Sequence, residues 1–462
     1  MRSTPSLFRL GLLGILAVGA CTPVRGGGPA ATPAGERATP ARNDEEGATG
    51  RSPIGEDDAL APAAPRADEV RGVWVVRTTL TDRERIREMV RRTDEAGFNT
   101  LLVQVRGRGD AYYDSDVEPR SAWLGATDGD FDPLETLLEE AHRRDMKVHA
   151  WVVAQLVCGL SALPDDQAHL VNRHPEWLSV PRALAEDLWR VDPADPAFAA
   201  TLHAWAVENG DRVEGLFADP GHPEVRQRLV AVVRDLLGSY ELDGVHLDYL
   251  RYPSPEFDYS RRSLERFREW AGTQVPLGLS SSLDARVAGG DVTAWAREHP
   301  EMWDGFRKSK VSSLIREVRR AVDATAPSAT LSVAVFADPV DAERGRFQDW
   351  RGWLEDGTVD VVAPMAYTPD DERFSDLIRL ATLADGQTGG QRVWAGVGIY
   401  QTTLEGAIRK VSLARESGAG GVLFFSYDWA RDQSAIIDGE PYFEALARRA
   451  FEPTSMSGAS GR

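Results

Sequence analysis

The chain has 462 residues, of which 42% are hydrophobic and 27% are charged, so it can bury a sizeable core and is not disordered as a whole. Its 72 acidic against 53 basic residues give a net charge of -19, which would repel a polyphosphate and argues against nucleic acid as a partner. Two cysteines, Cys21 and Cys158, are too few for a disulfide framework. We expect no structural disulfide, and we expect Cys158 to be a semi-buried thiol without a catalytic role.

The N-terminus has the features of an export signal. Arg2 and Arg9 precede an apolar run over residues 10–18 that is too short to span a bilayer but suits a signal peptide, which we place at residues 1–20. The segment Val18-Gly-Ala-Cys21 resembles a bacterial lipobox, so we expect lipidation at Cys21; the alternative is an ordinary signal peptide with a chance cysteine. Because Thr22 replaces the aspartate associated with inner-membrane retention, the resemblance favours an outer-membrane anchor facing the periplasm.

Residues 21–68 are rich in Pro, Ala, Gly, Thr and charge, and they lack the large apolar residues needed to offset the entropy of ordering. We predict a flexible tether, whose root-mean-square reach for such a composition is about 40 Å. From that reach we expect a substrate that is fixed near the membrane. The last residues, 453–462, are also small and polar and are predicted to form a flexible tail.

Between the tether and the tail, the sequence alternates β-branched runs with segments of helical periodicity, and this unit occurs eight times. The predicted strands are residues 70–77, 100–106, 147–155, 244–251, 330–338, 359–367, 392–400 and 420–428. Eight strand-helix units fit a TIM (β/α)8 barrel over residues 69–452 better than an open α/β sheet. The connections after strands three and four, 156–217 and 252–306, are unusually long. Both leave the carboxyl ends of strands, where barrel active sites are built, and predict a walled groove.

Strand four carries the strongest candidate for a functional residue. Alternation along Asp243-Gly-Val-His-Leu-Asp-Tyr249 places Val245 and Leu247 on one face and His246 and Asp248 on the inward face. An inward carboxylate near a strand exit costs several kcal/mol unless it has a partner, which makes Asp248 the leading catalytic candidate. The alternative is a buried ion pair that only braces the barrel, with Arg106 or Arg251 as the partner.

Other strand exits add polar and aromatic side chains. We predict that they line a binding groove for substrate: Gln104, Arg106, Asp110, His149, Trp151, His246, Arg251, Asp338, Tyr367, Tyr400 and Asp428. Any single aromatic residue is more often part of a core. Their convergence favours a sugar site, because sugar rings present C–H faces to aromatic rings and hydroxyls to carboxylates and amides. Asp219, in an Asp-Pro-Gly turn before a helix, is either a structural turn residue or the second catalytic acid.

Six segments together resemble the glycosyl hydrolase-like 10 family, and the likeness covers about residues 69–442. They are residues 71–74, 103–106, 147–151, 219–225, 243–249 and 360–364. The resemblance implies an exported bacterial lipoprotein that hydrolyses a glycosidic bond, and a division-site glycosidase of that family cleaves peptidoglycan strands stripped of stem peptides. It also implies that Asp248 is the catalytic carboxylate of strand four and makes envelope or cell-division proteins candidate partners.

Strand four is also similar to the Asp-Gly-x-Asp-x-Asp-x-Glu signature of family 18 chitinases, with two departures. His246 replaces the middle acid, and Leu250 and Arg251 stand where the glutamate should fall. Glycoside hydrolysis normally needs a second carboxyl, for which Asp219, Asp338 and Asp428 are the candidates. An N-acetylated substrate that supplies its own nucleophile, oriented by Tyr367, is a further alternative.

The leading interpretation is therefore a cell-envelope glycosidase that uses no metal and no cofactor. His149 and His246 point inward, but no segment has metal-ligand spacing. The first alternative is a non-catalytic, lectin-like lipoprotein that holds the envelope to glycan, because a barrel can lose its chemistry and keep its groove. The second is a glycosidase for a storage or capsular polymer.

Overall fold

The computed structural model describes residues 66–125, 131–386 and 389–451. The predicted signal peptide, Cys21, the tether up to residue 65 and the predicted tail lie outside these residues. No helix among the described residues is long and apolar enough to cross a bilayer.

Eight parallel strands close into a barrel. They are β1 (Val70–Val75), β2 (Thr100–Arg106), β3 (Lys147–Val153), β4 (Gly244–Asp248), β5 (Thr330–Phe336), β6 (Val361–Met365), β7 (Trp394–Gly398) and β8 (Gly421–Phe425). Each strand pairs with its neighbours in the chain, and β8 pairs with β1 to close the sheet. The prediction of a TIM barrel is confirmed.

One principal helix follows each strand and covers the outside of the barrel. In chain order these helices are Arg83–Glu95, Pro133–His142, Pro223–Ser239, Pro300–Thr325, Trp350–Glu355, Asp371–Ala384, Leu404–Glu416 and Tyr442–Phe451. Side chains cap the starts of six of these eight helices: the Asp132 carboxyl, for example, accepts the backbone N–H of Leu134 at 2.8 Å. Because the apolar face of each helix packs on the sheet, these eight helices and the barrel share one hydrophobic core.

The long connection after β3 forms the first insertion, residues 154–222. Leu156–Cys158 pairs antiparallel with Leu216–Phe217, and between them lie the helices Leu170–Arg173, Ala185–Leu188 and Pro196–Glu208. Cys158 is buried and free, and burial raises the pKa of its thiol to about 11, so the thiol is protonated near neutral pH. That state does not suit a nucleophile.

The connection after β4 forms the second insertion, residues 249–299, with the helices Arg261–Gly272, Leu277–Ala288 and Ala294–Glu298. An apolar cluster joins Phe267 and Trp295 of this insertion to Trp303 of the helix Pro300–Thr325. The two insertions are joined by backbone hydrogen bonds, because Tyr259 N–H donates to the Val180 carbonyl at 2.8 Å. Both insertions rise from the carboxyl ends of neighbouring strands, as the sequence predicts.

Gly244 lies where the barrel interior has no room for a side chain. A Cβ at this position would lie 2.4 Å from His149 Nδ1 and 2.6 Å from the Thr330 carbonyl oxygen. Those distances are far inside van der Waals contact, and the Thr330 oxygen belongs to the backbone of the neighbouring strand β5. The glycine therefore lets His149 occupy the interior between β3 and β4.

We expect Gly244→Ala to lower the free energy of unfolding by about 2–3 kcal/mol, because it overpacks this region. The matched control is Gly238→Ala, at an exposed helical position with no atom within 4 Å of the added methyl group. The control should be neutral or raise the free energy of unfolding by about 0.5 kcal/mol, because alanine favours helix. Urea unfolding of both variants measures the difference, and equal stabilities would contradict the packing argument.

Candidate active site

Asp248 is the last residue of β4 and lies at the carboxyl end of the barrel. Its Oδ1 accepts the backbone N–H of Tyr249 at 2.6 Å, and Tyr249 itself has a left-handed backbone with φ of 55°. A non-glycine residue in that conformation is strained and persists only where its surroundings enforce it. The turn therefore fixes the Asp248 carboxyl at the point where the chain leaves the strand.

The Asp248 carboxyl is buried, and burial is the main reason that its pKa is raised above the ordinary value. Arg251, whose Nη1 lies 3.4 Å from Oδ1, opposes this rise most strongly. The Tyr249 N–H, the Trp151 indole and Arg108 oppose it further. The sequence suggests Arg106 or Arg251 as the ion-pair partner of Asp248, and in the structure the partner is Arg251. The carboxyl is thus buried and partly compensated, and it holds its proton at higher pH than an exposed aspartate.

Aromatic rings form one wall beside Asp248. The ring centroids of Tyr367 and Tyr400 are 6.0 Å apart, and Phe425 lies 5.7 Å from Tyr367 and 6.3 Å from Trp151. Burial raises the pKa of Tyr367 well above its ordinary value, and the charges of Tyr400 and Asp248 add to the rise. Tyr367 therefore keeps its hydroxyl proton and can act as a hydrogen-bond donor. Sequence reasoning missed Phe425, which is the last residue of β8.

Two guanidinium groups also lie close to Asp248. Arg251 lies over the ring of Tyr249 at 4.0 Å and Arg108 over the same ring at 6.0 Å. Sequence reasoning missed Arg108 and instead selected Asp110, whose Oδ1 accepts the Arg108 backbone N–H at 2.9 Å. The signal that could have found Arg108 is its place between Gly107 and Gly109, where flexible backbone at a strand exit lets a side chain turn inward.

Beneath these residues, Trp74 links the wall to the barrel interior. Its ring lies 6.5 Å from Tyr367 and 6.1 Å from Phe425, and its indole N–H donates to His246 Nε2 at 3.1 Å. Because Nε2 accepts, the proton of the neutral imidazole is on Nδ1 and is donated to Ser332 Oγ at 2.9 Å. Burial lowers the pKa of His246 to about 3, so the ring is neutral. His246 thus lies on the barrel floor.

Other residues selected from the sequence lie elsewhere or are engaged by protein groups. Arg106 Nε donates to Glu118 Oε1 at 3.0 Å, and its Nη1 donates to the Val153 and Ala154 carbonyls. The Gln104 side chain accepts from Arg77 Nη1 at 2.8 Å. His149 packs edge-on against Trp394 at 5.4 Å in the barrel interior. The structure thus brings Trp151, Arg251 and Tyr367 close to Asp248, and Tyr400 contacts Tyr367. The side chains of Arg106, Gln104 and His149 instead bond to or pack against other protein groups around the site.

The three candidates for a second acid bond to other parts of the protein. Asp428 accepts the Val76 N–H at 2.7 Å, and Asp338 binds Arg373 at 2.7 Å on the surface. Asp219 accepts from Gly221 N–H at 2.7 Å and from the Tyr252 hydroxyl at 3.0 Å. None of the three contacts Asp248 through a hydrogen bond or ion pair recorded for the described residues.

Glu214 is a different acid that acts on this site. Burial raises the pKa of Tyr249 to about 12, and the charge of Glu214 is the next largest cause, ahead of that of Asp248. Glu214 precedes Phe217 by three residues, and the Phe217 ring lies 6.0 Å from the Tyr249 ring. Sequence reasoning missed Glu214 because it lies in the first insertion, far from any strand motif.

Some buried polar atoms near the end of β3 have no protein partner of good hydrogen-bond geometry. They are Trp151 Nε1 and both amide atoms of Gln155, a residue with no exposed surface. A buried polar atom without a partner costs about 1–3 kcal/mol, so such atoms point to a polar ligand or water. Within the described ranges, no three His, Cys, Asp or Glu side chains come together as a metal site.

The model of the glycosyl hydrolase-like 10 family matches residues 69–407. The glycosyl hydrolase YngK of Bacillus subtilis is 22% identical over 333 residues, covering 65% of this chain and 54% of YngK. The glycosyl hydrolase DigH of Escherichia coli is 28% identical over 285 residues, covering 59% of this chain and 55% of DigH. The chain therefore spans about half the length of these curated relatives.

Solved structures with a similar fold include carbohydrate-active barrels. The glycoside hydrolase domain of PgaB from Bordetella bronchiseptica has a TM-score of 0.55 at 15% identity, covering 83% of this chain and 98% of that domain. A β-galactosidase from Bacillus circulans has a TM-score of 0.52 at 14% identity, covering 83% of this chain and 55% of the other. At these identities the likeness shows the fold alone.

The neutral His246 on the barrel floor makes stability depend on pH. Its folded pKa, about 3, is below the unfolded value of about 6.5, so its contribution is present above pH 6.5 and is lost as the pH falls from about 6.5 towards 3. Relative to His246→Gln, the wild type should lose up to about 1.4 kcal/mol of unfolding free energy per pH unit over that window. Urea unfolding between pH 7.5 and 4.5 measures this difference.

The control is Ser332→Ala, which removes one hydrogen bond and keeps the imidazole. It should lower stability by about 1 kcal/mol at every pH and retain the wild-type slope. If His246→Gln has the wild-type slope as well, the imidazole is not the group that titrates.

Proposed function

The chain belongs to the glycosyl hydrolase-like 10 family, and from the geometry of its site we propose that it is a lipid-anchored glycoside hydrolase of the cell envelope that cleaves cell-wall glycan. The observation that carries the proposal is the buried Asp248 carboxyl at the carboxyl end of the barrel, with aromatic rings and two guanidinium groups close to it. A sugar ring packs its C–H face on such rings.

In this proposal Asp248 is the general acid. Breaking a glycosidic bond requires a proton on the leaving oxygen, and a carboxyl with a raised pKa still carries that proton where an ordinary aspartate has lost it. Tyr367 keeps its hydroxyl proton and can hydrogen-bond to the substrate beside Asp248. The Gln155 amide, which lacks a protein partner, would gain one from a sugar hydroxyl or from a bridging water.

Glu214 is our candidate for the second carboxyl, because the Phe217 ring, three residues further along the chain, lies 6.0 Å from the ring of Tyr249, the neighbour of Asp248. Asp338 and Asp428 are bonded to other loops. The aromatic wall and Tyr367 also suit an N-acetylated sugar whose acetamide attacks the anomeric carbon. In that case Glu214→Gln would leave most of the activity.

The substrate and the location rest on the N-terminal sequence and on the family resemblance. A signal segment followed by Cys21 and a tether of composition typical of linkers would hold the barrel within about 40 Å of a membrane. Cell-wall glycan, in particular peptidoglycan strands without stem peptides, is the polysaccharide within that reach in a bacterial envelope.

We expect Asp248→Asn to fold and to bind glycan but to lose at least about a thousandfold in kcat, because it removes the proton donor. Glu214→Gln should lose a comparable factor if Glu214 is the partner acid. Asp376→Asn, the same change at an exposed helical carboxyl, is the matched control and should retain activity.

The assay is release of reducing ends from intact sacculi, peptide-stripped sacculi, chitin and starch, with mass analysis of the products. Stripped sacculi should be the best substrate. A wild-type protein that binds stripped glycan and releases no reducing ends from any of the four would contradict the enzymatic proposal and favour a glycan-binding lipoprotein. Cleavage of starch alone would instead indicate a storage-polymer glycosidase.

We expect Cys21→Ser to move the protein from the membrane fraction to the soluble fraction, because the tether would lose its acyl chains. The purified variant should hydrolyse glycan at the wild-type rate, since Cys21 lies outside the barrel. Fractionation after a high-salt wash is the measurement, and Cys158→Ser is the matched control that should remain membrane-bound. Retention of Cys21→Ser in the membrane fraction would contradict lipidation.

A further inference from the structure

Two buried carboxyl groups, Asp219 and Asp258, meet between the two insertions. Ser263 Oγ lies 3.2 Å from Asp219 Oδ2 and 2.8 Å from Asp258 Oδ2. Asp219 is 3% exposed and Asp258 is fully buried. Ser260 Oγ also lies 2.7 Å from Asp258 Oδ2. The two acids are thus joined through a single hydroxyl and separated from water.

If both acids were ionised, the cluster would have too few hydroxyl hydrogens for its short oxygen–oxygen contacts. Ser260 donates its hydroxyl hydrogen to Asp258, and Ser263 has one hydrogen for two carboxyl oxygens. One of the two short contacts of Ser263 therefore needs a hydrogen that comes from a carboxyl group. Two buried anions this close would also repel each other strongly, which favours one shared proton.

No cation in the described part of the chain forms a direct ion pair with either acid. Arg266 and Lys310 face Asp219 from the helices Arg261–Gly272 and Pro300–Thr325 and act on it at longer range. Arg307 faces the neighbouring Tyr252 and donates to the Phe257 carbonyl. Tyr252 is the other titratable group in contact, through its hydrogen bond to Asp219.

The pKa shifts agree with this hydrogen-bond pattern. Burial, and then the charge of Asp219, raise the pKa of Asp258 to about 7. Burial also raises the pKa of Asp219. The pair therefore retains a proton at a pH where isolated aspartates have lost theirs.

The pair connects directly to the candidate active site. Tyr252 donates its hydroxyl to Asp219 Oδ1 at 3.0 Å, and the preceding residue is Arg251, the guanidinium that lies 3.4 Å from Asp248. Asp258 in turn accepts the Val180 N–H at 2.6 Å and so holds the first insertion against the second. The segment that carries Arg251 is thus fastened at Tyr252 by the pair.

We propose that Asp219 and Asp258 share one proton and act as positioning residues that hold Tyr252, and through it Arg251, against Asp248. This assigns Asp219 a positioning role in place of the catalytic role considered from the sequence. The shared proton is independent of the proposed function, and only the consequence for catalysis rests on it.

The shared proton is tested on the full chain without any substrate. Infrared spectra at pH 6 should contain a protonated-carboxyl C=O band that is lost or shifted in Asp258→Asn and in Asp219→Asn. Asp248→Asn serves as the reference, because it can alter only the contribution of Asp248. If neither Asp219→Asn nor Asp258→Asn changes the acid band, the proposal is wrong. Using two variants keeps the test informative if one of them does not fold.

Stability against pH gives a second readout. Because the folded pKa of Asp258 lies above its unfolded value of 3.8, the folded state binds more protons between about pH 4 and 7. The wild type should therefore lose stability relative to Asp258→Asn as the pH rises through that window, and the difference should level off above pH 7. A difference that does not change with pH would overturn the proposal.

The positioning role is tested by the pH profile of kcat on the best glycan substrate. In the wild type kcat should fall above about pH 7, where the pair loses its proton and the two anions repel. Asp258→Asn should remove the part of the decline near pH 7 and keep the part that the loss of the Asp248 proton causes. Asp258→Ala, which cannot hydrogen-bond to Val180 or the serines, should lose activity at every pH. An unchanged decline in Asp258→Asn, with the infrared band lost, would leave the proton shared but remove the link to catalysis.

If no variant or wild-type protein cleaves glycan, the proposed function fails while the infrared and stability results still decide the shared proton. Conversely, an active enzyme whose acid band is insensitive to both substitutions keeps the proposed function and loses this inference.

Discussion

The structure depends on the cost of placing a carboxyl group inside a closed barrel. Asp248 is withdrawn from water, and the main groups that stabilise its ionised form are Arg251 at 3.4 Å, the Tyr249 N–H, the Trp151 indole and the more distant Arg108. This compensation is incomplete, so the pKa of Asp248 stays raised. A complete ion pair would have fixed the charge and removed the proton. Partial compensation gives a carboxyl that can exchange a proton at the mouth of a groove.

The two insertions rise from the strand ends beside this carboxyl, and the Phe217 ring of the first insertion lies 6.0 Å from the Tyr249 ring. Long loops are costly to order, and here the cost is offset by an apolar cluster around Phe267 and Trp303 and by hydrogen bonds between the insertions. Their junction is polar, because Asp258 accepts the Val180 N–H and is joined to Asp219 through Ser263. The packing of the two insertions thus depends on a buried acid pair as well as on hydrophobic contacts.

The barrel could be predicted because its pattern is local: eight β-branched runs, each followed by an amphipathic helix, allow few other folds. Alternation placed Arg106 in the groove, whereas in the structure its guanidinium bonds to Glu118 and to the Val153 and Ala154 carbonyls. The pairing of β2 with β3 also shifts register between Gln104 and Arg106. Glu214 and Asp258 could not be found, since only the folding of two long loops brings them to the site. Periodicity contains no information on such contacts. The segments of the family resemblance lie on strands and in one loop, residues 219–225, and include neither Glu214 nor Asp258.

The departure of strand four from the chitinase signature has an electrostatic reason that the structure makes clear. Where that signature has further acids, this chain has His246, which is neutral and bonded to Trp74 and Ser332, and Leu250, which is followed by the cation Arg251. Desolvation is the main cause of the raised pKa of Asp248, and no carboxylate is among its largest causes. Desolvation acts only while the surrounding side chains exclude water. The insertions, and the acid pair that fastens them, are consequently part of what sets the proton affinity of Asp248.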